Sequence, residues 1–507
     1  MNRFAARCLF VFVPSLLAAS AWAQAPAHIQ PATDRTKDVA PAAAPMTGQP
    51  LFGALPLATH SEEARKLIET SIEQYENVLL DNSVSNARKA AAKDPHSALA
   101  FAVWSYAARR DRPSTEALHR AEALAAHATP QEKLLVRWMI NVQQGNTISA
   151  ISTMNDLLAQ YPENKHILYL TSEWLYFQQD YDRARTMMEK MLKLDPDFPP
   201  ALNMLGYAYI ETGNPNPTKA IAYLKRYAAL QPNQPNPEDS LGEIYRFAGD
   251  DQSSLQHYAA ALKITPTFIT SQVGLGDTAT LMGNFAQARA EYDKAIPMAT
   301  SSRDRLHAQY QKALAYFWEG QPVEGRKALD ELSIQARKQK DGFAQFEISY
   351  GRALLNPNIA SEIDELHALE VFLQTPQPGM SESERNTSLA SVLREEVRTN
   401  GLNRRAEAAQ NAAGKLEHLA STTRDSIIQD NYDSARGYQL FAKGNFAAAA
   451  DDLGTDSHSP MVLQELALAY DQVGNAQAAA SVRTRLKYLR ASTVEWYLAA
   501  HSGSSAN

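Results

Sequence analysis

Apolar residues recur along this chain at three- and four-residue intervals, in segments of about a dozen residues punctuated by Gly, Pro or Asn. No stretch of useful length alternates with the two-residue period of a half-buried strand, so the pattern predicts an all-α protein. The segments also keep a beat. LGYAY begins at Leu205, LGEIY at Leu241 and LGDTA at Leu275, steps of 36 and 34 residues. Pro162, Pro196, Pro232 and Pro266 follow at 34, 36 and 34, and Gly145, Gly213, Gly249 and Gly283 share the rhythm. Gln179 stands where a glycine would fall between the first two, and Gly320 arrives three residues late.

Each of these residues has a physical reason to sit where it does in a helix-turn-helix unit. Gly213, Gly249 and Gly283 end one apolar-periodic segment and precede the next, where the first helix must close in a left-handed residue. Pro196, Pro232 and Pro266 lie just beyond the second helix, which proline cannot continue. Gly206, Gly242 and Gly276 fall inside the first helix. Glycine costs ~1 kcal/mol there unless losing the side chain lets helices approach closely, so they predict tight packing.

On these residues the chain resembles the tetratricopeptide repeat family, whose 34-residue helix pairs carry a small residue at the eighth position, an aromatic at the eleventh, Ala at the twentieth and Pro at the thirty-second. In unit 199–234 the matching residues are Gly206, Tyr209, Ala220 and Pro232, with two extra residues around 214–217. Unit 235–268 supplies Gly242, Tyr245 and Pro266 but has Ser254 in place of alanine; unit 269–302 supplies Gly276, Ala288, Tyr292 and Ala295 but lacks the proline. Ala184 with Pro196 and Ala150 with Pro162 mark two earlier units. The resemblance implies repeats stacked in a right-handed superhelical solenoid, each pair covering the apolar face of its neighbour and leaving a concave surface.

Around this array, residues 131–339, the signal fades. Residues 51–130 read as divergent helical repeats, with Trp104 and Trp138 34 residues apart. Residues 340–430 read as an irregular helical segment with a Pro-rich break at 373–381, after which Ser381 and Glu384 form a capping-box pattern. YQLFAKGNFAAAA from Tyr438 and LALAYDQVGNAQAAA from Leu466 predict further helix pairs over 431–495, followed by a flexible tail, 496–507.

The first residues change the cellular setting. Arg3 and Arg7, an apolar stretch from Cys8 to Leu17 and small residues around Trp22 read as a signal peptide, 1–23, cut after Ala23. The stretch is too short to span a bilayer and Pro14 interrupts it, so no stable membrane insertion is expected after cleavage. Residues 24–50, rich in Ala and Pro, predict a disordered leader. The expected location is periplasmic or secreted. Cys8 is the sole cysteine, so the remainder can form no disulfide or thiolate site. A net charge of −7 without a broad basic face argues against nucleic acid.

Chemistry is not announced by any motif. HExxH, GxSxG and GxxxxGK do not occur. Gly274, Gly276 and Ala279 imitate a dinucleotide motif, but no strand precedes them and the repeat explains Gly276. No two of the twelve histidines stand three or four apart; Glu116 before His119, Glu163 before His166, Asp304 before His307 and Asp364 before His367 read as coincidences of charged helices. Asp364 with Glu365, and Glu395 with Glu396, read as solvated faces. No catalytic residue, cofactor or metal is expected. Trp104, Trp138 and Trp174 read as core, whereas Trp318 takes the thirteenth position of its unit, which the family's concave face would expose.

The resemblance implies a protein- or peptide-binding scaffold, not an enzyme. Its ligand positions, carried onto the clear units, are Tyr169, Glu173, Tyr176 and Phe177; Asn203, Tyr207, Ile210 and Glu211; Asp239, Glu243 and Arg246; and Asp277. Such a groove, acidic and aromatic, suits an extended partner carrying Lys/Arg and apolar side chains. Capture of a carbohydrate or other small ligand by Tyr176, Phe177 and Trp318 is the alternative.

Overall fold

The computed structural model describes Thr59 and residues 61–108, 113–212, 214–455 and 459–501. Among them are 25 α-helices and no strand. The expected signal peptide and leader, and the turn residue Gly213, lie outside the described residues. The helices run as successive antiparallel pairs. The first pairs are α1 (Glu62–Glu76) with α2 (Leu80–Lys93), α3 (Ala98–Ala107) with α4 (Pro113–Leu124), and α5 (Pro130–Gln143) with α6 (Thr147–Gln160). The periodic block follows: α7 (Lys165–Phe177) with α8 (Tyr181–Leu194), α9 (Pro199–Glu211) with α10 (Pro217–Leu230), α11 (Asn236–Phe247) with α12 (Asp251–Ile264), and α13 (Ile269–Leu281) with α14 (Phe285–Met298). Longer and less regular pairs come next: α15 (Ser302–Trp318) with α16 (Pro322–Gln339), α17 (Gly342–Leu354) with α18 (Ile359–Leu373), and α19 (Glu382–Leu402) with α20 (Ala406–Thr423). The chain closes with α21 (Ser426–Ala442) and α22 (Phe446–Leu453), α23 (Pro460–Gln472) and α24 (Ala476–Lys487), and a last helix α25 (Val494–His501).

Within the periodic block the two helices of a pair are buried differently. The second helices bury one stripe only, Ala184, Met188 and Met191 in α8 and Ala220, Leu224 and Tyr227 in α10, so their other face meets solvent. First helices are buried nearly all round; in α9 every residue from Pro200 to Glu211 is buried. The interior glycines explain how the two approach. A Cβ on Gly206 would stand 2.6 Å from Leu224, one on Gly242 2.8 Å from Tyr258, and one on Gly276 2.5 Å from Tyr292. Large residues of the second helix therefore fill the space the first helix gives up. Gly249 and Gly283 close their helices at φ 81° and 79°, and Gln179 holds the equivalent place at φ 67°.

Residues 342–423 form two further pairs. Their period is lost because α19 and α20 run 21 and 18 residues, against 13 to 14 in most of the periodic block. The capping box at Ser381 and Glu384 is formed, and the Pro-rich stretch before it is tied to the stack: the Gly342 N–H donates to the Pro378 carbonyl (2.6 Å) and Arg303 to that of Gly379 (2.6 Å). Residues 496–501, expected to begin a flexible tail, belong instead to α25. The rings of Tyr497 and His501 lie 5.1 and 5.4 Å from Trp318. Ala491 joins the apolar core of the first eleven helices, and Val494 and Met461 join that of α15 to α18. The end of the chain thus folds back onto its beginning and middle.

Candidate functional site

The family's ligand positions lie on the inner sides of α7, α9, α11 and α13, where the sequence predicts an open groove. The structure covers them. Tyr169, Glu173, Tyr176, Asn203, Tyr207, Ile210, Glu211, Asp239, Glu243, Arg246 and Asp277 are all buried, and Phe177 is half-buried. Two other parts of the chain cover this face.

The first is the amino-terminal helices. Tyr75 of α1 donates to Glu173 (2.7 Å), Tyr106 of α3 reaches the same carboxylate (3.4 Å), and Glu76 pairs with His166 (2.8 Å). The rings of Tyr75, Tyr106, Trp138 and Trp174 succeed one another at 5.3, 5.7 and 6.4 Å between centroids, an aromatic row filling the inside of the curve. Trp138 and Trp174 are buried core as expected, and Trp104 is half-buried beneath Arg88.

The second is the last turn of α24 with the segment that leaves it. Most first helices close on a left-handed turn residue whose neighbouring amides bond back to the last carbonyls. After α9, where the sequence carries a two-residue insertion, Thr212 is extended and the Asn216 N–H donates to the Tyr209 carbonyl (2.7 Å). Arg485 brings further donors to this helix end from some 270 residues away, from Nη1 to the Ile210 carbonyl (2.8 Å) and from Nη2 to that of Glu211 (3.0 Å). A guanidinium at a helix C-terminus also meets the negative end of the helix dipole. Arg490 pairs with Asp251 at the start of α12 and donates to the Leu281 carbonyl at the end of α13 (3.2 Å).

Between these coverings runs a ladder of buried polar groups. Ser240 donates to Asn203 (2.9 Å), Tyr207 to Glu243 (2.9 Å), Ser271 to Asp239 (2.6 Å) and Tyr292 to Asp277 (2.8 Å). Arg246 bridges Glu243 (3.0 Å) and Asp277 (3.4 Å). Burial pushes the Asp239 carboxyl up to about 8, against the Ser271 hydrogen bond and with help from the nearby Glu243. Burial also raises Asp277, against the pull of Arg246 and Tyr292. Asp239 is therefore largely protonated at neutral pH, and the face is less negative than its count of carboxylates suggests.

Two further expectations are corrected. Trp318 is no open platform, because α25 lies over it. Glu395 and Glu396 do not form a solvated face. Both are buried, and Glu395 bonds Arg394 (2.9 Å) and Arg398 (2.6 Å), two cations that hold its carboxyl below its ordinary value although burial works to raise it. Arg394, itself fully buried, also reaches Glu495 of α25 (3.0 Å), whose other oxygen accepts from Ser459 (2.8 Å). Sequence reasoning passed over Arg394, Arg485 and Arg490. One signal for the covered face was available: Pro200 to Glu211 is apolar on every side, and a helix of that composition is a buried one.

Residues 175–241 match a family model described as tetratricopeptide repeat. No curated protein matches the chain. Among solved structures the chain is similar to a tetratricopeptide repeat protein from Parabacteroides merdae ATCC 43184, at 15% identity and a TM-score of 0.34 over 54% of this chain and 93% of that one. It is also similar to MamA (23% identity, TM-score 0.28, 33% and 95%) and to PilW, described as a widely conserved type IV pilus biogenesis factor (16%, 0.31, 49% and 98%). Overlaps this loose carry no argument by themselves. The family match falls on the units whose interior glycines let the second helix in, and repeats of the same build extend on both sides of it. Residues 175–241 are thus matched as tetratricopeptide repeat, within an all-α array of stacked helix pairs.

Proposed function

We propose that this chain is a non-catalytic protein-binding scaffold of the cell envelope, whose inner face along residues 165–302 receives an extended segment rich in arginine and apolar side chains. Tetratricopeptide repeats generally mediate protein–protein interactions. The export half of the reading rests on residues 1–23, and no helix among the described residues is long and apolar enough to cross a membrane. The observation that carries the binding half is Arg485 on the Ile210 and Glu211 carbonyls. Here the inner face already holds a basic segment, whose guanidinium bonds the last carbonyls of α9. A partner of like chemistry would bind by taking the place of residues 485–492, which makes the covered arrangement a resting state. Opening it loses a few charge-assisted hydrogen bonds, each worth about 1.5–3 kcal/mol, a range that a partner making the same bonds recovers.

The test is affinity capture from the host's envelope with the wild-type chain and an Arg485→Ala/Arg490→Ala variant as baits. The variant should retain the same partner more strongly, and the complex should weaken as salt rises, since exposed charges are screened beyond ~8 Å at physiological ionic strength. Equal retention by both baits at all salt concentrations would move the binding site off the inner face.

A further inference from the structure

Outside the inner face, one cluster has the makings of a metal site. His367 and Glu370 stand three residues apart on α18, so their side chains share a face of that helix. Glu396 faces them from α19. His367 Nδ1 lies 3.2 Å from Glu370 Oε2 and 3.9 Å from Glu396 Oε1, and one donor atom from each of the three residues falls within 4.8 Å of the others. Zinc bonds nitrogen and carboxylate oxygen at about 2.0–2.2 Å, which in a tetrahedron sets ligand atoms roughly 3.3–3.5 Å apart. The observed separations bracket that edge.

The surroundings point to an ion independently of the spacing. Glu370 Oε1 is held by Lys415 of α20 (2.6 Å) and more loosely by Gln374 (3.4 Å), which orients the carboxylate with Oε2 toward His367. This is the arrangement by which outer groups fix a metal-binding carboxylate. Glu396 has no such support. Its side chain is 9% exposed, and its ion pair with His367 spans 3.9 Å, beyond hydrogen-bond distance. An acid buried without a donor is costly to ionise. The imidazole, in contrast, is largely exposed, so a bound ion would keep a side open to solvent.

We propose that His367, Glu370 and Glu396 form a binding site for a zinc-class divalent ion, with three protein ligands and a fourth position open to water. One imidazole with two carboxylates favours zinc, cobalt or nickel over magnesium and calcium, which prefer all-oxygen shells. The ion gives the buried Glu396 carboxylate a direct partner and pins α18 to α19.

The full chain, stripped with a chelator, is titrated with Zn(II) by calorimetry and with Co(II) by absorption. One equivalent should bind, and Co(II) should develop the intense visible bands of a tetrahedral site. Glu396→Gln keeps the shape and removes the charge, and His367→Ala alters an exposed residue, so both should fold with unchanged circular dichroism. Each should weaken binding by ~100-fold or more, beyond the 10–100-fold typical of losing an outer-shell partner. His257→Ala, in the separate pair of His257 with Glu238, should bind as the wild type does. Failure of the wild type to bind, or retention of its affinity by either site variant, overturns the proposal.

Discussion

The periodic units and the carboxy-terminal half of the molecule are built from the same kind of helix pair but are held together differently. In residues 165–298 the recurring device is steric: a glycine on the first helix admits Leu224, Tyr258 or Tyr292 from the second, while polar groups inside bond one another, Tyr207 with Glu243 across successive first helices and Tyr292 with Asp277 within one pair. In residues 382–501 the corresponding centre is ionic. Arg394 sits fully buried between Glu395 and Glu495, and Ser459 completes the shell, joining α19 to α23 and α25. A steric device repeats because each unit needs the same space, whereas an ion pair joining distant helices is made once and leaves no period.

The largest effect expected from that contrast is for Arg394→Ala. It leaves Glu395 with Arg398 alone and Glu495 with Ser459 alone, and breaking a buried pair costs about 3–5 kcal/mol. Denaturant unfolding should show the loss, with fluorescence of Trp496 reporting the carboxy-terminal helices. A midpoint unchanged from wild type would mean that the ionic centre holds nothing. In the periodic half, Gly206→Leu should be milder. It drives a side chain into Leu224 at a fully buried contact, and overpacking of this kind costs ~1–3 kcal/mol, read as a lowered melting temperature. Should it exceed the effect of Arg394→Ala, the ranking of the two halves is reversed.

The last effect is a slope, at most ~1.4 kcal/mol at any single pH step of one unit. Asp239 is held protonated in the folded chain up to about pH 8, but ionises near its ordinary value once unfolded. The folded state therefore binds the extra proton. The stabilising contribution of this group is fully present below pH ~4 and is lost as pH rises through about 8, by at most ~1.4 kcal/mol per pH unit. Asp239→Asn keeps the shape and removes the titration, so its stability should fall less than that of the wild type between pH 5 and 8, to be measured by urea unfolding across that range. Parallel curves for the two proteins would place the wild-type slope elsewhere.

Helix pairs, their order and the interior glycines are legible in the sequence because they depend on neighbours within about 34 residues: Gly206 faces Leu224, and Gly249 ends the helix it follows. The candidate ligand positions, Tyr169 through Asp277, fall on first helices as the period requires, but their burial is not legible. Nothing local to Glu173 says that Tyr75 will reach it, or to Glu211 that Arg485 will cap its carbonyl, because both contacts depend on the accumulated curvature of many stacked pairs. His367, Glu370 and Glu396 are a similar case, since helices of 15 and 21 residues outside the repeat period bring them together. The sequence by itself determined the helices, the pairing and the tight packing within each pair, since the spacing of apolar and small residues sets which face of a helix is sticky and how near another can come. Only the tertiary structure decided that the solenoid closes on itself, because that depends on small rotations summed over many units, and no single residue carries the sum.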